Sequence, residues 1–124
     1  MKILLPDTFS VNLRQFLRRN GYASHLQTKL DRLSFVKRVT SDDFPRFHIY
    51  IEKDIRGKNY LTLHLDQKKP SYDGAHAHSG EYDGDLVRNE SQALQKSIFQ
   101  THTLIQNDHE VNSKKNLFQR LFHG

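Results

Sequence analysis

The chain has 124 residues, no cysteine and a formal net charge of +5 at pH 7. A domain of this length buries about two-thirds of the surface that its unfolded chain exposes, so it folds without disulfides. The lack of cysteine excludes a thiolate metal site. No apolar run in the sequence is long enough for a signal peptide or a membrane span, so we expect a soluble, cytoplasmic protein.

The charge is unevenly distributed. Residues 1–58 hold twelve Lys and Arg against six Asp and Glu, whereas residues 59–90 hold three against six. A basic segment attracts phosphate or an acidic partner, and an acidic segment suits a bound cation. The composition therefore leaves two kinds of binding open.

The first element that the pattern predicts is a helix over residues 8–20. Asp7 or Thr8 is a suitable N-cap, and Asn20-Gly21 is a helix stop. The apolar side chains recur at the spacing of one helical face: Phe9, Leu13, Phe16 and Leu17. Residues 22–33 show no clear period and fit either a short helical turn or a loop.

Three short strands are predicted next. Residues 34–39 are rich in β-forming side chains, and residues 47–52 and 60–66 alternate apolar with polar ones. A turn at 54–59 joins the last two strands into a hairpin.

The register of this hairpin has two solutions that bring the apolar faces together. Either His48 lies opposite His64, or Tyr50 lies opposite His64 and His48 opposite Asp66. In both registers, His48, His64 and Asp66 share the polar face of the hairpin, so residues distant in sequence come together.

The remaining sequence predicts a loop at 71–84 and a second helix at about 85–103. We expect an α+β fold with the order α-β-β-β-α: a three-stranded antiparallel sheet with two helices packed on one face and a flexible C-terminal tail. Residues 1–105 form the single domain, 106–116 a polar linker and 117–124 an amphipathic tail.

The densest chemistry lies between residues 64 and 81. Imidazole and carboxylate are the usual ligands of Zn²⁺ and its neighbours. Residues two apart on an extended backbone point the same way, and His48 joins them across the hairpin. We therefore predict a divalent-metal site, zinc by default, with these ligands: His64, Asp66, His76, His78 and His48.

An enzymatic function would follow from the same cluster. Glu81 is the candidate catalytic base on a metal-bound water, which makes a metal-dependent hydrolase the class to expect. No motif in the chain names a substrate. The bland alternative is that these side chains are ordinary polar surface.

Two non-catalytic functions remain open. A nucleic acid or another polyanion would bind a basic patch made of Arg14, Arg18, Arg19, Lys37, Arg38 and Arg46. Alternatively, the tail at 117–124 docks onto a protein partner, or folds back onto the protein's own core. Its apolar residues are Leu117, Phe118, Leu121 and Phe122.

Three segments carry a resemblance: PRFHIY at 45–50, HLDQKKPSY at 64–72 and HSGEYDG at 78–84. They resemble segments of small uncharacterised bacterial proteins, over roughly residues 10–95, and the resemblance implies no activity. The predicted order of elements is also similar to that of double-stranded-RNA-binding domains. Those domains place a lysine-rich patch at the start of the last helix, where this chain has Asp83, Asp85 and Glu90 with Arg88 alone.

Overall fold

A computed structural model describes residues 1–27, 32–67, 80–81 and 84–123. In chain order the elements are β1 (Lys2–Leu4), α1 (Leu13–Arg19), β2 (Ala23–Gln27), β3 (Arg32–Arg38), β4 (Arg46–Lys53), β5 (Asn59–Asp66), β6 (Gly80–Glu81) and α2 (Asp85–His123). The α+β class is as predicted.

The sheet is antiparallel, as predicted, but it is larger than the three strands expected. Five strands run in the order β1-β5-β4-β3-β2, and β6 pairs with β5 beyond the end of β1. Because β1 and β6 are too short to show a period, the pattern missed them, and β2 lacks the alternation that marks a strand. The observed order of elements therefore differs from α-β-β-β-α, and the likeness to double-stranded-RNA-binding domains in element order does not hold.

One face of the sheet packs against both helices, as predicted. Alternation along β5 directs Leu61, Leu63 and Leu65 into this layer, where all three are buried. The remaining buried apolar residues of the core are Ile3, Leu5, Phe16, Leu17, Tyr22, Phe35, Phe47, Ile49, Val87, Leu94 and Ile98. The polar side chains that alternate with the apolar ones along β4 and β5 lie on the opposite face.

Helix α1 is shorter than the predicted 8–20. Asn12, rather than Asp7 or Thr8, is the N-cap, and its side chain accepts a hydrogen bond from the backbone N–H of Gln15 over 3.2 Å. Phe9 therefore precedes the helix, although its ring still meets Phe16 edge-on. The predicted stop is confirmed, because Gly21 takes a φ of 91°, which residues with a Cβ rarely adopt.

The β4–β5 hairpin has the first of the two predicted registers. His48 lies opposite His64, and Tyr50 lies opposite Thr62. The turn between the strands is held by Asp54, whose side chain accepts hydrogen bonds from the backbone N–H groups of Arg56 and Lys58 at 2.8 and 2.9 Å. A one-residue slip would turn every polar side chain of the hairpin into the core, so the apolar face excludes it. The two registers that keep the apolar faces together differ by two residues, and the length of the turn decides between them.

Helix α2 continues far beyond the predicted end at 103. It has 39 residues, about 58 Å at the usual rise per residue, and includes both the predicted linker at 106–116 and residues 117–123 of the tail. The side chains at 106–121 are all exposed, so this part of the helix does not fold back onto the core. Among the described residues, no helix is both long and apolar enough to cross a membrane.

A buried polar contact joins α2 to the sheet. Tyr22 donates a hydrogen bond to Glu90 Oε2 over 2.6 Å, and Lys37 forms an ion pair with the same carboxylate. Burial raises the pKa of Tyr22, and the hydrogen bond to Glu90 raises it further.

This contact predicts a loss of stability in alkali. The folded state keeps the Tyr22 proton that the unfolded chain releases above its ordinary pKa of 10, so the contribution is present below pH 10 and is lost as the pH rises. Tyr22→Phe is expected to cost about 1–2 kcal/mol at neutral pH and to flatten the decline above pH 10. Urea unfolding between pH 7 and 11 measures both effects, with Tyr60→Phe as control. A Tyr22→Phe variant whose stability declines above pH 10 as steeply as that of the wild type would contradict the raised pKa of Tyr22.

Candidate metal centre

The face of the sheet opposite the helices carries a cluster of polar side chains. Alternation along β4 and β5 directs His48, His64 and Asp66 to this face, because their neighbours Phe47, Leu63 and Leu65 occupy the core. His48 is only 2% exposed, which is unusual for a polar side chain on the face opposite α1 and α2.

The three side chains converge. His48 Nδ1 lies 2.9 Å from Asp66 Oδ2, and His64 Nε2 lies 2.8 Å from Asp66 Oδ1. One ligand atom from each of the three residues lies within 4.8 Å of the other two. His48, His64 and Asp66 therefore form a group that can hold a metal ion.

Asp66 is the negative centre of the cluster. Burial by itself raises the pKa of its carboxyl group, but the hydrogen bonds with His48 and His64 outweigh burial and hold the pKa well below its ordinary range. Arg46 adds a hydrogen bond from Nε to Oδ2 over 3.2 Å, while its guanidinium group lies over the ring of Phe44. Asp66 is thus a carboxylate, which only accepts hydrogen bonds.

Ser34, on β3, determines which nitrogen of His48 carries a hydrogen. The Ser34 hydroxyl donates its one hydrogen to the backbone carbonyl of His25 over 3.0 Å. Its oxygen therefore accepts from His48 Nε2, which lies 2.7 Å away. With Nε2 engaged by Ser34, Nδ1 of His48 faces the Asp66 carboxylate at 2.9 Å.

Aromatic rings surround His48. Tyr50 stacks on it with ring centroids 4.6 Å apart, and His25 meets it edge-on at 5.9 Å. Burial, followed by the charge of Arg46, lowers the pKa of His25, which favours the neutral ring. The rings restrict the motion of His48 and hold its orientation toward Asp66.

A cleft lies beside the cluster on the same face of the sheet. Its volume is about 450 Å³, and its wall includes Tyr50, Glu52, Thr62 and His64. Since His64 lines the cleft and also contacts Asp66, a small molecule in the cleft would lie next to an ion held by the cluster.

The other predicted site residues are placed as follows. His76 and His78 lie outside the described residues. The backbone of Glu81 belongs to β6 and pairs with Leu65, next to the pair of Gly80 with Asp66. The catalytic role of Glu81 stays a prediction.

The six residues of the predicted basic patch do not share one surface. Arg14, Arg18 and Arg19 are exposed on α1. Lys37 binds Glu90 on the helix-covered side of the sheet, whereas Arg46 binds Asp66 on the other side. Arg38 forms an ion pair with Asp43 at 2.7 Å. Lys37 and Arg46 therefore lie on opposite faces of the sheet, and the binding of a polyanion stays a prediction.

Sequence reasoning missed Ser34, His25 and Tyr50 as neighbours of the cluster. Val36 pairs with His48, which brings Ser34 onto the same face, but no turn signal fixed the register of β3 against β4. His25 lies in the segment that showed no period. Alternation places Tyr50 on the polar face, but it does not predict that the Tyr50 ring stacks on His48.

The contacts from Ser34 through His48 to Asp66 have the connectivity of a serine hydrolase triad. Ser34 is fully buried, however, and its hydroxyl hydrogen is already donated to His25. A serine nucleophile must reach its substrate and pass its proton to the histidine. This arrangement therefore orients His48 and does not supply a nucleophile.

Comparison of the chain with protein-family models, with curated proteins and with solved structures found no match. The function is therefore inferred from the geometry of the site. The resemblance to small bacterial proteins stays a prediction.

Proposed function

We propose that this domain binds a divalent transition-metal ion through His48, His64 and Asp66. The observation that carries the proposal is the convergence of two imidazole nitrogens on one carboxylate, with the far nitrogen of His48 engaged by Ser34. Metal-binding histidines usually donate their second N–H to a neighbouring group in this way. An ion would lie between the two ring nitrogens and the Asp66 carboxylate.

Zinc is the ion that best fits this ligand set. Two histidines and a carboxylate are three protein ligands, and a fourth, open position is typical of catalytic zinc. Bonds of about 2.0–2.2 Å separate tetrahedral ligand atoms by roughly 3.3–3.5 Å. Asp66 lies 2.8 and 2.9 Å from its two partners, so small side-chain rotations make room for the ion.

Arg46 is expected to weaken the binding of a metal ion at Asp66. Its guanidinium group binds Asp66 Oδ2, so its positive charge opposes a cation at the same carboxylate. We expect Arg46→Met, which keeps much of the side-chain length, to bind zinc more tightly than the wild type. An unchanged or weaker affinity in a chelator competition assay would show that Arg46 supports the ligand geometry instead.

Metal-assisted hydrolysis is the finer proposal. The open coordination position and the cleft at His64 support it, because they give a metal-bound water access to a small substrate. Glu81 is the residue proposed as base on that water. His76 and His78 are proposed as ligands in an alternative, non-catalytic site, in which they occupy the position of the water.

The metal proposal is tested on untagged protein loaded with Zn²⁺ and dialysed. Elemental analysis is expected to find one ion per chain in the wild type and none in His64→Ala, with circular dichroism confirming that the variant folds. His109→Ala removes an exposed imidazole from α2 and is the matched control, expected to keep the ion. Retention of zinc by the His64 variant, or no bound zinc in the wild type, would overturn the proposal.

A further inference from the structure

The side of α2 that contacts the core is apolar up to Ile105 and polar beyond it. Val87, Leu94 and Ile98 are buried, and Ile105 is half-buried. On the same side of the helix the next positions are polar and exposed: His109, Asn112 and Asn116. The segment from Leu104 to Leu121 is called here the α2 arm, and beyond Ile105 it has no apolar side directed at its own domain.

A second apolar stripe begins where the first one ends. Leu104, Val111 and Phe118 recur every seven residues and are 65%, 51% and 61% exposed. At about 100° per residue, this stripe lies roughly a third of a turn from the side that contacts the core. Seven-residue spacing keeps side chains on one seam, which is the pattern of a helix that packs along another helix.

The arm needs packing to be a stable helix. Between 106 and 113 it is rich in weak helix formers: Asn107, Asp108, His109, Val111, Asn112 and Ser113. Helices of this length are marginal in water without tertiary contacts. Burial of the Leu104, Val111 and Phe118 stripe against another chain would supply those contacts.

The charged side chains beside the stripe can form ion pairs with those of a second copy of the helix. Asp108 and Lys115 lie on the same flank, three residues before and four residues after Val111. Two copies crossing antiparallel at Val111 bring Asp108 of each copy opposite Lys115 of the other. A parallel pair would instead bring Lys114, which borders the stripe, against its own copy.

We propose that the α2 arm is a self-association surface, which pairs antiparallel with the arm of a second copy of this chain. Val111 lies on the two-fold axis, and Leu104 packs against Phe118 of the second copy on either side. Two helices in contact over about four turns make a small interface, so the dimer is weak and forms at high concentration. This surface is independent of the metal site.

Sedimentation equilibrium from about 1 μM to about 1 mM tests the pairing. The mass is expected to rise from that of one chain, 14.6 kDa, toward about twice that value. Val111→Lys places like charges at the axis and is expected to stay monomeric. Asn116→Lys adds the same charge on the polar side and is expected to dimerise as the wild type does. A wild type that stays monomeric throughout, or a Val111→Lys variant that still dimerises, would overturn the proposal.

Two further variants test the orientation. Asp108→Lys is expected to weaken the dimer at least tenfold, and the double change Asp108→Lys with Lys115→Asp is expected to restore it. Since the chain has no cysteine, Leu104→Cys and Phe118→Cys can be mixed and oxidised without competing thiols. A disulfide that joins position 104 to position 118 supports the antiparallel pair, whereas one that joins 104 to 104 overturns it.

Discussion

Asp66→Asn is expected to lower the free energy of unfolding of the metal-free protein by about 2–3 kcal/mol. The Asp66 carboxylate lies within hydrogen-bond distance of His48, His64 and Arg46, and an asparagine cannot accept with both side-chain atoms as the carboxylate does, so its N–H group would meet the Arg46 donor or a ring. Urea denaturation of both proteins, followed by circular dichroism at pH 7, measures the difference.

Asp43→Asn is the matched control. Asp43 also pairs with an arginine, Arg38, but both side chains are largely exposed to water. Exposed ion pairs contribute little to stability because water screens them, so this change is expected to cost well under 1 kcal/mol. Equal effects of the two substitutions would show that the polar cluster around Asp66 contributes no more to stability than a surface ion pair does.

Asp66→Asn also changes the dependence of stability on pH. The pKa of Asp66 in the folded protein lies below its ordinary value of 3.8, so the unfolded chain binds this proton first as the solution is acidified. The contribution of Asp66 is therefore present above pH 4 and is lost progressively as the pH falls below that value. In the Asp66→Asn variant, the loss of stability between pH 4 and 2 is expected to be less steep than in the wild type.

The hairpin at the centre of the site follows from the sequence alone. Apolar alternation at Phe47 and Ile49, and again at Leu61 and Leu63, fixes which side chains face the helices, and this places the ligands on the other side. The geometry between partners does not follow from alternation. Ser34 reaches His48 only because β3 pairs with β4 in one register, and that register depends on packing across the whole sheet.

The length of α2 shows a different limit. The predicted helix ended at 103 because the stripe that contacts the core ends near Ile105, and the polar residues after it suggested a linker. A helix can continue while its apolar side rotates, and here Leu104 and Val111 begin a new stripe. Periodicity measured against a single face does not detect this change, whereas a seven-residue repeat does.

Ser34→Ala is expected to weaken zinc binding about 10- to 100-fold, the usual effect of removing a group that orients a metal-binding histidine. Without the hydroxyl, His48 Nε2 loses its acceptor, so the ring can turn or take the tautomer with hydrogen on Nδ1. Competition with a zinc-binding dye measures the affinity. Nitrogen NMR of the histidine rings reports the tautomer, which loss of packing alone would leave unchanged.

Ser91→Ala is the control, because Ser91 is also buried and hydrogen-bonded but lies on α2, away from the cluster. Ser34→Thr keeps the hydroxyl and is expected to restore most of the affinity. If Ser34→Ala binds zinc as tightly as the wild type while His64→Ala binds none, the ion is held without help from the Ser34 contact. His48 would then bind through Nε2, or would not be a ligand at all.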